Sequence, residues 1–419
     1  MDKFKFEGGQ RTLFLGMIAV GVVSMVLTFF ADDALHTRFW TNYLHNTVFF
    51  LGISFALLFA YCAFTLAYAG WFVNFKRIWE AYSQFLLVAL ILMLPLIGGL
   101  WMDYHHLYHW NVPEDVATDP VLYGKSGFLN KWWYTLGTLI VVGIWYLCAS
   151  RIRSLSLAED NGGGASNNFA EYASIKKWAG ILMFFGAFSS AAMIWQWLMS
   201  LDAHWYSTMF AWYSTASFFV AGLSLTIITI IYLKGKGYLE TLDGNHLHDI
   251  GKYLFAFSIF WTYLWFDQYM LIWYANNGEE TVYFQTRIQQ YPVLFYGNLL
   301  INFVMPFFVL MRNSVKRKHG IMMFAAIMLF FGHWWDVFMM VKPGALHTAH
   351  EALAHGHGGG HGHEAGFTPG FTLPGLLEIG TFIGFLGLFM YVGFSHLSRA
   401  ALTPANDPYL QESMHHEVI

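Results

Sequence analysis

Long apolar runs alternate with short polar connectors along almost the whole chain. Crossing a bilayer core takes about 20 apolar residues in one helix. By that measure the pattern predicts ten spans, at residues 12–30, 47–71, 81–102, 132–150, 177–200, 209–233, 252–275, 291–311, 320–341 and 371–397. Three connectors are long. Residues 103–131 carry a Tyr-His-His run, a proline and several acids; 151–174 contain Asn161 followed by three glycines; 343–369 are rich in His and Gly. Residues 1–11 and 398–419 are then short terminal segments. The first ten residues hold two acids and two lysines, and the apolar run after them lacks a small-residue cleavage site. It is therefore read as a retained first span rather than a removed signal.

The cations test this count. Of 22 Lys and Arg, seventeen fall in the N-terminus, in the even connectors and after the last span. The five in odd connectors are Arg38, Lys125, Lys131, Arg287 and Lys342. Cationic loops resist translocation, so the richer side is cytoplasmic. The expected fold class is an all-α integral membrane protein of about ten transmembrane helices with both termini inside.

Composition agrees. Charged residues are 11% of the chain against about 25% in ordinary soluble domains, and aromatics are 20%. No basic surface for nucleic acid is present. Two cysteines, Cys62 and Cys148, cannot form a haem-attachment or iron–sulfur pattern, and both read as small core residues.

Charges inside spans are costly and face a bundle interior or a wet cavity, which makes the few present here candidates. Asp267 lies in the outer half of the seventh span. His333 and Asp336, three apart on the ninth, share a helix face. Glu378 lies in the tenth span, nearer its outer end. Asp103, Asp202 and His204 mark the outer boundary of the third and fifth spans, and Glu80 stands at the inner start of the third. A clustering of carboxylates and imidazoles in the outer half suits a proton path or polar docking; interhelical hydrogen bonds that only hold the bundle together are the competing reading. His333 reads as the only histidine well inside a span, so a b-type haem with paired axial histidines is not expected. His347, His350, His355, His357, His361 and His363 lie in a Gly-rich run without a fixing acid or Cys; they read as a flexible outer loop rather than a metal site.

Two stretches carry a resemblance. Trp197-Leu-Met-Ser-Leu-Asp-Ala-His-Trp-Tyr-Ser-Thr-Met-Phe-Ala-Trp-Tyr213 and Phe266-Asp-Gln-Tyr-Met-Leu-Ile-Trp-Tyr-Ala-Asn-Asn-Gly-Glu-Glu-Thr281 resemble the membrane subunits of alternative complex III, a bacterial quinol:electron-acceptor oxidoreductase. Those subunits belong to the polysulfide-reductase/NrfD-like family, and size points to the smaller of the two. The resemblance implies two four-helix bundles, here about 47–200 and 209–341, with the first and last spans peripheral. It implies as partners a sister NrfD-like membrane subunit, an iron–sulfur subunit, multihaem and monohaem cytochrome c subunits and a terminal oxidase, in a bacterial inner membrane. Haem c and iron–sulfur clusters would sit in those partners and no cofactor in this chain, leaving it a structural and proton-conducting role. Asp267 departs from the pattern, standing where a small hydroxyl residue is expected.

Two further readings stay open. The chain could itself bind quinone or quinol in an aromatic and Met-lined cleft. Alternatively it could be a secondary transporter, which calls for matched broken helices in two halves; Pro95, Pro306 and Pro374 are not so matched.

The topology is testable by labelling. Cysteines placed at Ser166 and Asn313 should be shielded from impermeant thiol reagents in intact cells, and one at Gly359 should react. Labelling at Asn313 would break the ten-span count.

Overall fold

The computed structural model describes residues 3–33, 35–356 and 373–417. The chain is an all-α, multi-span membrane protein. Among the described residues nine helices are long and apolar enough to cross a bilayer. They are α1 (Gly8–Phe30), α2 (Thr37–Leu66), the pair α3 (Lys76–Ser83) and α4 (Phe85–Trp101), α7 (Lys131–Glu159), α8 (Ala170–Trp197), α9 (Met209–Gly235), the stretch from α12 (Pro292–Leu299) to α13 (Met305–Leu310), α14 (His319–Gly356) and α15 (Leu376–Leu397). A tenth, α10 (Gly244–Ala275), has 32 residues. That is about 48 Å at 1.5 Å per residue, but Asp249, Lys252, Asp267 and Gln268 dilute its apolar character. Short helices α5 (Pro113–Thr118), α6 (Pro120–Lys125) and α11 (Gly278–Gln290) cap one end, and α16 (Leu410–Met414) lies in the C-terminal tail.

The helices pack as two rings of four. In one, α2 touches α4 and α8, and α7 closes the ring between them; in the other, α9 touches α10 and α14, and α13 closes it. Contacts of α2 with α9 and α14 join the rings, while α15 packs on α2 and α3 and holds α1 against the outside. Leu13, Val20, Val23 and Leu27 on α1 face outward, as a lipid-facing helix requires.

The chain ends define one end of the molecule. Lys3 pairs with Ala401, the Lys5 amide donates to Tyr238 Oη at 3.3 Å, and Ser413 meets Asn74. The N-terminus, the tail and the α2–α3, α7–α8 and α9–α10 connectors therefore share an end, as an even number of crossings demands. This is the end rich in Lys and Arg. The opposite, far end carries α5, α6 and α11.

Three sequence expectations change here. The second span begins ten residues early, at Thr37, because Thr41, Asn42, His45 and Asn46 are buried against other helices rather than lying in a loop. The seventh begins at Gly244, where Asp243 caps it by accepting from the Asn245 and His246 amides. The ninth does not stop before 343: α14 runs on through Pro343 to Gly356, so Lys342, His347 and the residues up to 356 belong to a helix rather than to a His/Gly-rich loop. His357, His361 and His363 lie outside the described residues. The tail folds back across the basic end, where Asp407 pairs with Lys76 and the Ser413 carbonyl accepts from Asn74.

Without a hydrophobic drive between helices in lipid, close backbone approach decides packing. The α1–α15 pair shows it: a Cβ built on Gly384 would lie 2.4 Å from the Gly21 Cα. Gly384→Ala should therefore separate these helices and cost about 1–3 kcal/mol, the usual range for overpacking. Gly143→Ala, where a Cβ meets nothing within 4 Å, should be neutral or stabilising. Thermal unfolding in detergent compares the two.

Candidate functional site

In the second ring a carboxylate sits among neutral donors. Asp336 on α14 is 0% exposed. Its Oδ1 accepts from Tyr213 Oη of α9 and from Asn298 Nδ2 of α12 at 2.6 Å. Its Oδ2 accepts from Trp261 Nε1 of α10 at 2.8 Å. All four helices of the ring thus meet on one acid, and every partner is uncharged. Three donors from three helices offset the cost of burying this carboxylate.

One turn back, His333 is also 0% exposed. Its Nδ1 lies 2.9 Å from Ser217 Oγ, and its Nε2 is buried without a hydrogen-bond partner. Asn302 continues the set, donating to Asn298 Oδ1 at 2.6 Å and to the Gly332 carbonyl at 2.9 Å. A Cβ on Gly332 would fall 2.2 Å from Asn302 Oδ1, so only glycine lets the amide approach α14. Asn302 lies in a π-helical segment, Leu300–Val304, a local irregularity that recurs at functional sites.

From the far end, two cavities lead toward this cluster. The first, about 80 Å³, is lined by Asp202, His204, His109, His347, Tyr283 and Arg287, among others. The second, about 20 Å³, is lined mainly by apolar side chains, Phe210, Trp265, Phe284, Phe295, Met339 and Met340, with Tyr213, Gln268 and again Tyr283 and Arg287. That is room for about one water. Arg287 and Tyr283 of α11 form the partition between them. The guanidinium stacks 3.4 Å from the Tyr283 ring centroid and donates to Asp202 Oδ2 at 2.8 Å. Beyond the partition, Tyr213 passes directly to Asp336.

The other sequence candidates fall in three places. His204 is at the mouth, 2.5 Å from Asp119 Oδ2. Asp103 is a hydrated boundary acid, 62% exposed and 3.3 Å from Lys131. Asp267, half-buried, makes no hydrogen bond or ion pair among the described residues and is not brought to Asp336. Glu378 belongs to a separate network between the rings and α15. It takes two bonds from Arg38, at 2.7 and 2.8 Å, and one from Asn42 at 3.0 Å. Lys342, expected in an outer connector, is instead 0% exposed and donates to Thr41 and Asn42. His45 is a second buried histidine in a span, correcting the expectation that His333 stands alone; its Nε2 donates to the Trp334 carbonyl at 2.9 Å.

Glu80 joins a buried ionic cluster at the basic end. Ser156 donates to it at 2.6 Å, and Arg77 and Arg153 lie 3.7 and 3.8 Å away. Next to it, Lys76 pairs with Glu159 and with Asp407 of the tail. Among the described residues no group of three His, Cys, Asp or Glu could hold a metal ion.

The sequence missed the donors. Tyr213, Trp261 and Asn298 looked like ordinary span residues, because nothing local marks which of many Tyr, Trp and Asn will converge. Asn298 and Asn302, one turn apart in an apolar run, were the available signal. No protein-family model matches the chain, and no curated protein matches it.

Ahead of the tenth helix's apolar part, Asp249 holds the tail. Burial pushes its carboxyl up, but hydrogen bonds from Lys252 at 2.6 Å and His416 at 2.5 Å outweigh that and hold it below the usual range. A depressed acid stabilises the docked form above its free pKa of about 3.9 and loses that contribution as pH falls through the lower folded value. Amide protection in residues 410–416, taken relative to the intrinsic exchange rate at each pH, should therefore be high at neutral pH and fall below about pH 4. Asp249→Asn should exchange faster at neutral pH and lose most of this acid dependence.

Proposed function

We propose that this chain is a non-haem, proton-handling membrane subunit of a bacterial quinol-oxidising respiratory complex of the alternative complex III type. The observation that carries the reading is the buried Asp336, whose donor Tyr213 lines a small cavity that shares Arg287 and Tyr283 with a second cavity at the far end. The stretches that bear the resemblance flank this route. Residues 197–213 supply Asp202 and Tyr213, and residues 266–281 supply Gln268 and Glu279.

In this reading the far end faces the side where quinol oxidation releases protons, and the chain adds a half-channel to it. His204 and Asp202 exchange protons with solvent at the mouth. The Arg287–Asp202 pair holds the partition closed, since a guanidinium neither gives up its proton nor lets another cation pass easily. Tyr213 and Asp336 form the inner terminus, with His333 one turn deeper. Electron transfer itself belongs to the iron–sulfur and cytochrome c partners.

The test is a swap that keeps shape but removes the exchangeable proton. Asp336→Asn should leave an assembled, quinol-oxidising enzyme whose proton-to-electron ratio in sealed vesicles is reduced. Asp336→Leu, which leaves three donors unpaired, should impair assembly. Normal ratios in Asp336→Asn, His333→Gln and Asp267→Asn alike would leave the chain a scaffold.

A further inference from the structure

On the outward side of α10 two polar side chains stand one turn apart, Tyr263 and Asp267. Tyr263 is exposed and Asp267 half-buried, and neither makes a hydrogen bond or ion pair among the described residues. The helix runs on past Asp267 to Ala275, about 12 Å further at 1.5 Å per residue. Trp273 and Tyr274, both exposed, lie on that last stretch, as interfacial aromatics do. Asp267 is therefore about two turns inside that belt and Tyr263 about three.

Both belong to one stripe. Ala256, Phe260, Tyr263, Asp267, Met270 and Tyr274 follow at alternating steps of four and three, apart from the buried face of Leu254, Trp261, Leu264 and Gln268. Apolar residues at this spacing form the seam along which one helix packs on another, and a single polar residue in such a seam fixes register and partner. The composition is also unlike a lipid-facing surface of the same molecule. Outward positions of α1 are aliphatic, Leu13, Leu15, Val20, Val23 and Leu27. Those of α10 are Tyr263, Phe266, Met270, Leu271 and Tyr274, dominated by the aromatic and Met residues enriched where proteins meet.

The helices most in contact with α10 offer Asp267 no cation. Between Lys252 and Arg287 the chain holds no Lys or Arg, and Arg287 of α11 is engaged by Asp202. The first cations on α9 and after α13 are Lys234 and Arg312, at the basic end. A carboxylate turned toward hydrocarbon is costly. Asp336 meets that cost with neutral donors, but it draws them from three helices. One helix laid along the stripe brings only one or two side chains to Asp267. A cation among them does the work of several neutral donors, because charge-assisted hydrogen bonds are about twice as strong. A second copy of this chain fits poorly: across a two-fold axis the same surface meets itself, which sets carboxylate against carboxylate.

We infer that the α10 stripe is the docking face for a transmembrane helix of another subunit, which sets one Lys or Arg side chain against Asp267. Tyr263, one turn deeper, offers its hydroxyl to the same helix. The inference needs only a bilayer around α10 and not the proton-handling role of Asp336, so either can fail alone.

Site-specific cross-linking of the full chain in native membranes tests this, with the photoreactive residue p-benzoylphenylalanine in place of Met270. Mass spectrometry of the adduct should identify a transmembrane segment of another protein, with a Lys or Arg within one turn of the linked residue. Asp267→Lys and Asp267→Asn should each lower the yield of that adduct by about tenfold or more, the effect of leaving one desolvated charge unpaired. Changing the partner's cation to Glu should restore the yield in Asp267→Lys, which separates a lost ion pair from a misfolded variant. Adducts with lipid only, or with a second copy of this chain, would overturn the inference. So would a linked segment without Lys or Arg, an unchanged yield in Asp267→Lys, or no rescue by the reversed pair.

Discussion

A carboxylate buried among helices with no cation beside it is the constraint around which the second ring is built. Asp336 needs donors on both oxygens, because an ion in an apolar interior without them is expensive. Tyr213, Trp261 and Asn298 supply them from three different helices. Each helix is thereby fixed in rotation and depth relative to α14, and Gly332 and the π-helical segment follow from bringing Asn302 into the same set. The packing of this ring and the placement of its chemistry are one problem with one solution.

The first ring and α15 meet the same cost differently, with ions of both signs. Arg38 and Lys342 flank Glu378 through Asn42 toward the far end, tying α2, α14 and α15 together. At the basic end Lys76, Arg77 and Arg153 share Glu80, Glu159, Asp160 and Asp407. Such pairs fix position more than they stabilise, since desolvation offsets much of their attraction. Removing one partner is worse than never having had the pair, which gives the tail's Asp407 a structural duty that an ordinary terminus lacks. Among the fully buried acids of the described residues, Asp336 differs in having only neutral partners.

The cavities in the molecule divide along the same lines. The cavities on the Asp336 side are small, and Arg287 and Tyr283 line both. The cavity between the rings is larger and lined almost wholly by apolar side chains.

The sequence by itself determined that the chain is helical and crosses a membrane many times, because length and hydropathy of a run are local properties that a bilayer reads directly. It also singled out His333 and Asp336, since a charge deep in an apolar run is rare enough to notice. Glu378 and Glu80 were visible for the same reason, but their counter-ions were not. Lys342 and Arg38 looked like loop cations because α2 and α14 extend past their apolar runs, and only burial against neighbouring helices makes those polar turns affordable. Asp267, equally conspicuous in the sequence, has no hydrogen-bond or ion-pair partner among the described residues. Tertiary structure decided which Tyr, Trp and Asn converge on Asp336, that Arg287 of α11 folds over its entrance, and that stripes of α8 and α9 open a groove. Each depends on the rotation of one helix against another, set by contacts hundreds of residues apart that no local pattern records.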